Sequence, residues 1–200
     1  MEVVLIPGDG IGKEISESVK EVSKVLKTNI EWETHFAGAE YYEKTGKLFD
    51  EGMMDAIQAT GVALKGPTAT PIGTGFRSIN VQLRQKFSTY ANLRPVHSIE
   101  GVKSRFEDVD LVIVRENSED LYKGIEYMYD ANTAHGIKLI TKDASERIAR
   151  FAFEYAKKHH RKKVTAVHKA NIMKVCDGLF LDAFNKVAEE YPEIEHDSVI

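Results

Sequence analysis

A single cysteine in 200 residues removes two chemistries at once: Cys176 can form no disulfide within the chain, and it offers no ligand spacing for a metal. A reducing compartment follows, with Cys176 as a structural thiol on a helix. The chain also lacks any apolar run approaching the ~18 residues of a membrane span. It opens directly on Val3-Val4-Leu5-Ile6, with no basic lead and no small-residue cleavage site. The expected location is therefore the cytoplasm, or the mitochondrial matrix after processing, with no membrane partner. Excess positive charge is missing too. A formal net charge of −4 argues against a nucleic-acid surface, and the basic cluster Lys157 to Lys163 reads as a solvated helix end followed by a turn. There is no internal repeat, low-complexity tract or Pro/Gly-rich linker.

What is present is an ordinary core-forming composition, 42% hydrophobic and 29% charged, enough for one or two domains. Short apolar runs alternate with helical periodicities. Val3 to Ile6 reads as a strand, followed by a helix whose stripe is Ile15, Val19, Val22 and Leu26. A strand near Ile30 to His35, helices over Ala39 to Thr45 and Gly52 to Ala59, and a strand at Gly61 to Leu64 continue the pattern. Later come the strand Leu111 to Val114 and a helix over Ser145 to His159 with Ile148, Phe151, Ala152 and Tyr155 on one face. The strand Val164 to His168 and a long helix over Asn171 to Glu190 complete it. Such alternation predicts an α/β fold with mostly parallel strands.

The glycine loop Gly8-Asp9-Gly10-Ile11-Gly12 invites a dinucleotide-binding assignment, but the fingerprint Gly-x-Gly-x-x-Gly places a glycine where Lys13 stands. No acidic ribose partner sits cleanly at the end of the second strand. The loop is predicted to be a tight strand-to-helix turn. More telling is Lys65-Gly-Pro-Thr-Ala-Thr-Pro-Ile-Gly-Thr-Gly, a proline-stiffened stretch of hydroxyls beyond a strand's carboxyl end, where open α/β sheets place ligands. Ser78 then stands where a helix can start, and Asn80 and Arg84 share a face at i,i+4 spacing.

Arg84, Arg94 and Arg115 lie in apolar contexts at element ends, where an unpaired guanidinium is costly and a bidentate carboxylate fits its planar fork. Three such residues predict an inward-facing pocket for a small polycarboxylate. Arg77 is read as an ordinary surface arginine.

These runs, taken with Tyr90-Ala-Asn-Leu-Arg94-Pro, Val114-Arg115-Glu-Asn-Ser-Glu-Asp-Leu-Tyr122 and Val167-His-Lys169-Ala-Asn171-Ile-Met, resemble the isocitrate and isopropylmalate dehydrogenase family, in its order and along the whole chain. The resemblance implies an isocitrate dehydrogenase-like three-layer α/β/α fold with two domains, cut short here, and not a standard Rossmann domain. It matches Arg84, Arg94 and Arg115 to the arginines that hold the malate-like carboxylates. Ser78 and Asn80 match the positions that recognise the third carboxylate of isocitrate; isopropylmalate presents a branched hydrocarbon there. Tyr122 and Lys169 match the catalytic pair, the lysine coming from the partner subunit of a homodimer with shared active sites. Lys169 would take the hydroxyl proton and Tyr122 would protonate the enolate. Thr70 and Asn171 match contacts to the nicotinamide end of NAD or NADP, and His168 is read as structural.

The implied activity is oxidative decarboxylation of isocitrate to 2-oxoglutarate and carbon dioxide, with NAD (or NADP) and Mg2+ or Mn2+. The runs Ala170-Asn-Ile-Met and Asp177-Gly-Leu-Phe resemble the NAD-using branch. Isopropylmalate, homoisocitrate and tartrate relatives, and a noncatalytic regulatory subunit of a hetero-oligomeric isocitrate dehydrogenase, are the alternatives. Family members are longer. Their metal-binding aspartates and adenosine-gripping loops lie beyond the position matched by Ile200, so the 200 residues alone are expected to be inactive. Residues 1–98 are assigned to the large domain and 99–200 to the small domain with the dimer contacts, Tyr127 to Thr141 forming an arm.

Overall fold

A computed structural model describes residues 1–69 and 78–200. Thr70 and Arg77 lie outside the described residues. The chain divides into two compact units, Met1–Phe87 and Ser88–Ile200. The sequence-drawn boundary at 98 falls between two strands that pair with each other, which is why the residues on either side of it share a unit.

In the first unit, β1 (Glu2–Ile6) is the centre of a parallel sheet, flanked by β2 (Glu31–Thr34) and β3 (Ala63–Lys65). Val4 and Ile6 turn one face of β1 onto Met53 and Ile57 of α3 (Met53–Thr60) and onto Ile79 of α4 (Ile79–Lys86). Leu83 packs against the same cluster. With Ile79 and Leu83 inward at i,i+4, Asn80 and Arg84 come next to each other one step further round the helix.

Helix α1 (Gly12–Val25) departs from expectation. Its predicted stripe, Ile15, Val19, Val22 and Leu26, is 40 to 69% exposed, while the small residues Gly12, Ser16 and Ser23 are buried. The cause is steric. A Cβ on Gly12 would lie 2.1 Å from the Pro7 carbonyl oxygen, so the helix start is pressed onto β1's exit. That turns inward the face carrying Gly12, Ser16 and Ser23, leaving the apolar stripe about 70° further round at 100° per residue.

Between β1 and α1 the chain is knotted to other loops by Asp9. Its carboxylate accepts from the amides of Ala39 (3.0 Å) and Glu40 (2.9 Å) at the start of α2 (Ala39–Thr45), and from Ala69 (2.6 Å) beyond β3. The Asp9 amide donates to the Pro67 carbonyl at 2.8 Å. Gly8, at φ +77°, leaves room for that crossing: a Cβ there would sit 1.9 Å from the same carbonyl oxygen.

The second unit pairs β4 (Ala91–His97) with β5 (Asp110–Glu116) antiparallel, and β6 (Glu126–Asp130) with β7 (Thr133–Gly136) in an exposed antiparallel hairpin. β8 (Lys163–Val167) and β9 (Glu195–Val199) are parallel. The pairing is thus parallel in the first unit and mixed in the second. Helices α5 (Lys142–Lys158) and α6 (Cys176–Ala188) enclose a core in which Phe153, fully buried, lies between Tyr191 (ring centroids 5.1 Å) and Phe184 (5.4 Å). The inward face of α5 carries Ala144, Ile148, Ala149, Phe153 and Ala156, so Phe151, Ala152 and Tyr155 flank the buried face they were expected to share with Ile148. α6 begins at Cys176, later than the predicted Asn171, because residues 169–175 form a separate turn in which the Lys169 carbonyl accepts from Ile172 and Met173. Among the described residues no helix is long and apolar enough to cross a membrane.

Two stability outcomes follow. Gly8→Ala combines positive φ with backbone overlap and lowers the unfolding free energy by at least ~2 kcal/mol, whereas Gly46→Ala, at φ +73° in open space, costs about 1 kcal/mol. Paired urea titrations check the difference. His35, held by Asp50 (2.7 Å) and Glu33 (3.0 Å), has its pKa raised: burial opposes the cation, and the hydrogen bonds and charges of Asp50 and then Glu33 outweigh it. A raised folded pKa gives stability that is complete below the unfolded value of 6.5 and is lost as pH rises through the folded one. The melting-temperature gap between the parent and His35→Gln should be widest near pH 5.5 and shrink by pH 8; a gap that grows with pH contradicts this.

Candidate active site

In the second unit the site residues share one face of the β4–β5 ribbon. Asn92 stands opposite Arg115 in the register, and Arg94, two residues along β4, lies on the same side. Arg94 Nε donates to Asn92 Oδ1 at 3.2 Å. Arg115 Nη2 donates to the Tyr122 hydroxyl at 2.6 Å, its Cζ 5.0 Å from the ring centroid. Arg94, Arg115 and Tyr122 are thus assembled from a strand pair and the turn that follows it. Arg84 and Arg115 are half-buried and Arg94 is exposed, β4 belonging to a two-stranded ribbon whose outer half buries little.

The turn that presents Tyr122 is held at every step. Glu116 accepts from the amides of Ser118 and Glu119, both at 2.9 Å. Glu119, buried, accepts from the amide and hydroxyl of Thr141, both at 2.8 Å, tying the turn to the N-cap of α5. Arg147 stacks over Tyr90, 4.2 Å to the centroid, and reaches Ser118 at 3.4 Å and Glu116 at 3.9 Å. Asp120, at φ +62°, caps the 3-10 turn Leu121–Lys123 through the Leu121 amide at 2.7 Å. Tyr122 stands 42% exposed on that turn.

Lys169 and Asn171, both exposed, occupy a different turn after β8. There Asp177, 5% exposed, accepts from the Lys169 amide at 2.6 Å, and His168 Nδ1 accepts from the Ala170 amide at 3.0 Å. Asp177 also takes the Lys138 ammonium. Burial favours the neutral acid, but the Lys138 and Lys169 hydrogen bonds outweigh it and hold the Asp177 carboxyl below its ordinary range.

In the first unit, Ser78, Asn80 and Arg84 cluster at α4, all half-buried. Ser78 occupies the N-cap position yet its side chain makes no capping bond, and the Ser78 carbonyl accepts from Gln82 at 3.0 Å. Lys65, unassigned by the sequence reading, is half-buried nearby in the chain and donates to the Gly66 carbonyl (2.8 Å) and the Thr68 hydroxyl (2.9 Å). Burial holds its ammonium pKa below the usual lysine value, Asp9 opposing the shift and Arg84 adding to it. The sequence signal was its position at the head of the proline-stiffened loop.

The glycine loop is no pyrophosphate cradle. The space beside Gly8 and Gly12 is taken by the Pro67 and Pro7 carbonyls, and the Gly10 amide already donates to Glu40 at 3.1 Å. Among the described residues, no three His, Cys, Asp or Glu side chains come together as a metal-binding set. Replacing the buried Glu119 by Gln removes one of its two acceptor oxygens. It should lower the second unit's unfolding free energy by about 1–3 kcal/mol, measured by chemical denaturation followed at the Tyr signals.

A sequence model for a family described as isocitrate/isopropylmalate dehydrogenase matches residues 2–200. The chain is 46% identical over 200 residues to the chloroplastic 3-isopropylmalate dehydrogenase of Solanum tuberosum, covering all of this chain and 56% of that protein. It is 50% identical over 198 residues to a regulatory subunit of the mitochondrial NAD isocitrate dehydrogenase of Dictyostelium discoideum, covering 99% of this chain and 54% of that protein. The crystal structure of isocitrate dehydrogenase from Methylococcus capsulatus superposes with a TM-score of 0.95 at 46% identity, covering the whole of this chain and 60% of that one. The chain spans about half the length of the curated relatives it matches.

Proposed function

The chain belongs to the isocitrate/isopropylmalate dehydrogenase family, and from that premise we propose that it supplies the substrate-holding and proton-transferring residues of an NAD-dependent isocitrate dehydrogenase. The observation that carries the reading is the Arg115–Tyr122 contact on the face shared with Arg94: a carboxylate fork held against a phenol that serves as general acid. In this reading Arg84, Arg94 and Arg115 grip the malate-like carboxylates, and Ser78 and Asn80 meet the third. A serine hydroxyl at a helix N-terminus, not used to cap it, suits a carboxylate and suits the branched hydrocarbon of isopropylmalate poorly.

The nicotinamide, when bound, accepts the hydride. Lys169 of a neighbouring subunit removes the hydroxyl proton as the carbon–hydrogen bond breaks. Loss of carbon dioxide leaves its bonding electrons in an enolate, and Tyr122 gives that enolate a proton at carbon. Thr70 and Asn171 are this chain's positions toward the nicotinamide. The described residues contain no metal set, so Mg2+ or Mn2+ binding is assigned to residues outside this group.

The second reading, a noncatalytic regulatory role, draws on the 50% identity to a protein named a regulatory subunit. Tyr122 and Lys169 favour the catalytic one, since a chain relieved of chemistry needs neither. The mitochondrial relative supports the matrix option over the cytoplasm, and a homodimer with shared sites remains the assembly proposed.

The test uses the full-length protein carrying this chain, assayed with NAD and Mg2+ or Mn2+. Isocitrate should be oxidised in strong preference to 3-isopropylmalate, and Ser78→Leu should cost on the order of 10^4 in kcat/KM for isocitrate, against little change for Arg77→Ala. Mixing Tyr122→Phe with Lys169→Met chains should restore activity in heterodimers. A preference for isopropylmalate overturns the substrate, and no recovery in mass-verified heterodimers overturns the shared site.

A further inference from the structure

Among the described cations that the mechanism does not use is Lys138. Lys138 lies between β7 and α5 with its side chain 21% exposed, and its ammonium faces two carboxylates: Asp177, in direct contact, and Asp120 at 3.7 Å. Each carboxylate also accepts from a backbone amide. Asp177 holds the amide of Lys169 at 2.6 Å, and Asp120 holds the amide of Leu121, next to Tyr122, at 2.7 Å. The Lys138 backbone is fastened to the same elements. Its carbonyl accepts from Cys176 Sγ at 3.6 Å at the start of α6, and the adjacent Leu139 carbonyl accepts from the Asp120 amide at 2.8 Å.

We propose that Lys138 is a positioning residue whose single ammonium fixes, through Asp120 and Asp177, the two turns that present Tyr122 and Lys169. The proposal rests on the reading of those two residues as the proton-transfer groups. A carboxylate that orients a backbone amide is itself free to rotate unless something holds its other oxygen; the Lys138 ammonium holds Asp177 by a hydrogen bond and draws Asp120 by charge across 3.7 Å. Lysine suits the task because its ammonium is a compact head with three donors. The titration of the pair agrees with the geometry. Burial disfavours the Lys138 cation, but the Asp177 hydrogen bond and the charges of Asp120 and Asp177 outweigh it and raise its pKa, while the Asp177 carboxyl is lowered.

The experiment has two arms. In the full-length active protein, Lys138→Met should lower kcat by about tenfold to a hundredfold, the usual cost of losing a group that orients a reacting one, with KM for isocitrate within about twofold. Lys138→Arg should recover most of kcat. Because Lys138→Met strands a buried carboxylate, Lys138→Met with Asp177→Asn is measured beside it. Its melting temperature should recover while kcat stays low. An unchanged kcat per folded molecule, or a kcat that returns with the melting temperature, reduces Lys138 to an ordinary ion pair and overturns the proposal. The second arm is amide hydrogen exchange on the 200-residue chain. Lys138→Met should speed exchange at Lys169 and Leu121 about tenfold or more while the amides of Ala183 to Ala188 keep theirs. Unchanged exchange at both overturns the proposal whatever the activity. Altered exchange, together with a full-length protein that folds but does not oxidise isocitrate, sinks the functional reading while leaving the positioning intact.

Discussion

Amide groups left unpaired where strands and helices end are held in this chain, again and again, by carboxylates. Asp9 takes three of them from two loops, Asp50 takes Phe36, Glu116 takes Ser118 and Glu119, Glu119 takes Thr141, Asp120 takes Leu121 and Asp177 takes Lys169. Each exchange satisfies a backbone donor that would be costly to leave dry; those of Asp9, Asp50 and Glu119 also tie a turn to something distant in sequence, and those of Glu116 and Asp120 shape the turn locally. The turns proposed to present Tyr122 and Lys169 are fastened in this way. The polar groups at the site are therefore placed by other polar groups, while the apolar cores around Ile6 and Phe153 supply the platforms.

Much of this framework was legible in the sequence. The strands Val3 to Ile6, Leu111 to Val114 and Val164 to His168 announced themselves as apolar runs, and the glycine loop forms the tight strand-to-helix turn that its early third glycine suggested. The rest was hidden for identifiable reasons. Apolar spacing told that α1 is amphipathic, but contact with the Pro7 carbonyl, invisible to periodicity, decided which face turned inward. The start of α6 was misplaced because residues 171–175 are as compatible with helix as with the turn that the Asp177 carboxylate imposes. The carboxylate contacts themselves span separations such as Asp9 to Ala69 or Glu119 to Thr141, which follow no local period.

The site residues divide between the two units. Ser78, Asn80 and Arg84 belong to the first, Arg94, Arg115, Tyr122, Lys169 and Asn171 to the second. The division suits the chemistry proposed. The residues assigned to distinguish one substrate from another sit on a helix start in one body, and those assigned to move protons sit on braced turns in the other. Discrimination and reaction then rest on separate packing problems, and a change in one core need not disturb the other.

The position of Lys138 acquires a further meaning in an assembly where each centre borrows its lysine from a neighbour. Tyr122 and Lys169 of one chain then serve different centres, although a single ammonium steadies both turns. The strut runs through one polypeptide from one centre to the next. Were the sites shared as proposed, a shift of the Tyr122 turn would reach the Lys169 turn of the same chain through Lys138, and the occupancy of one centre would enter the free energy of the other.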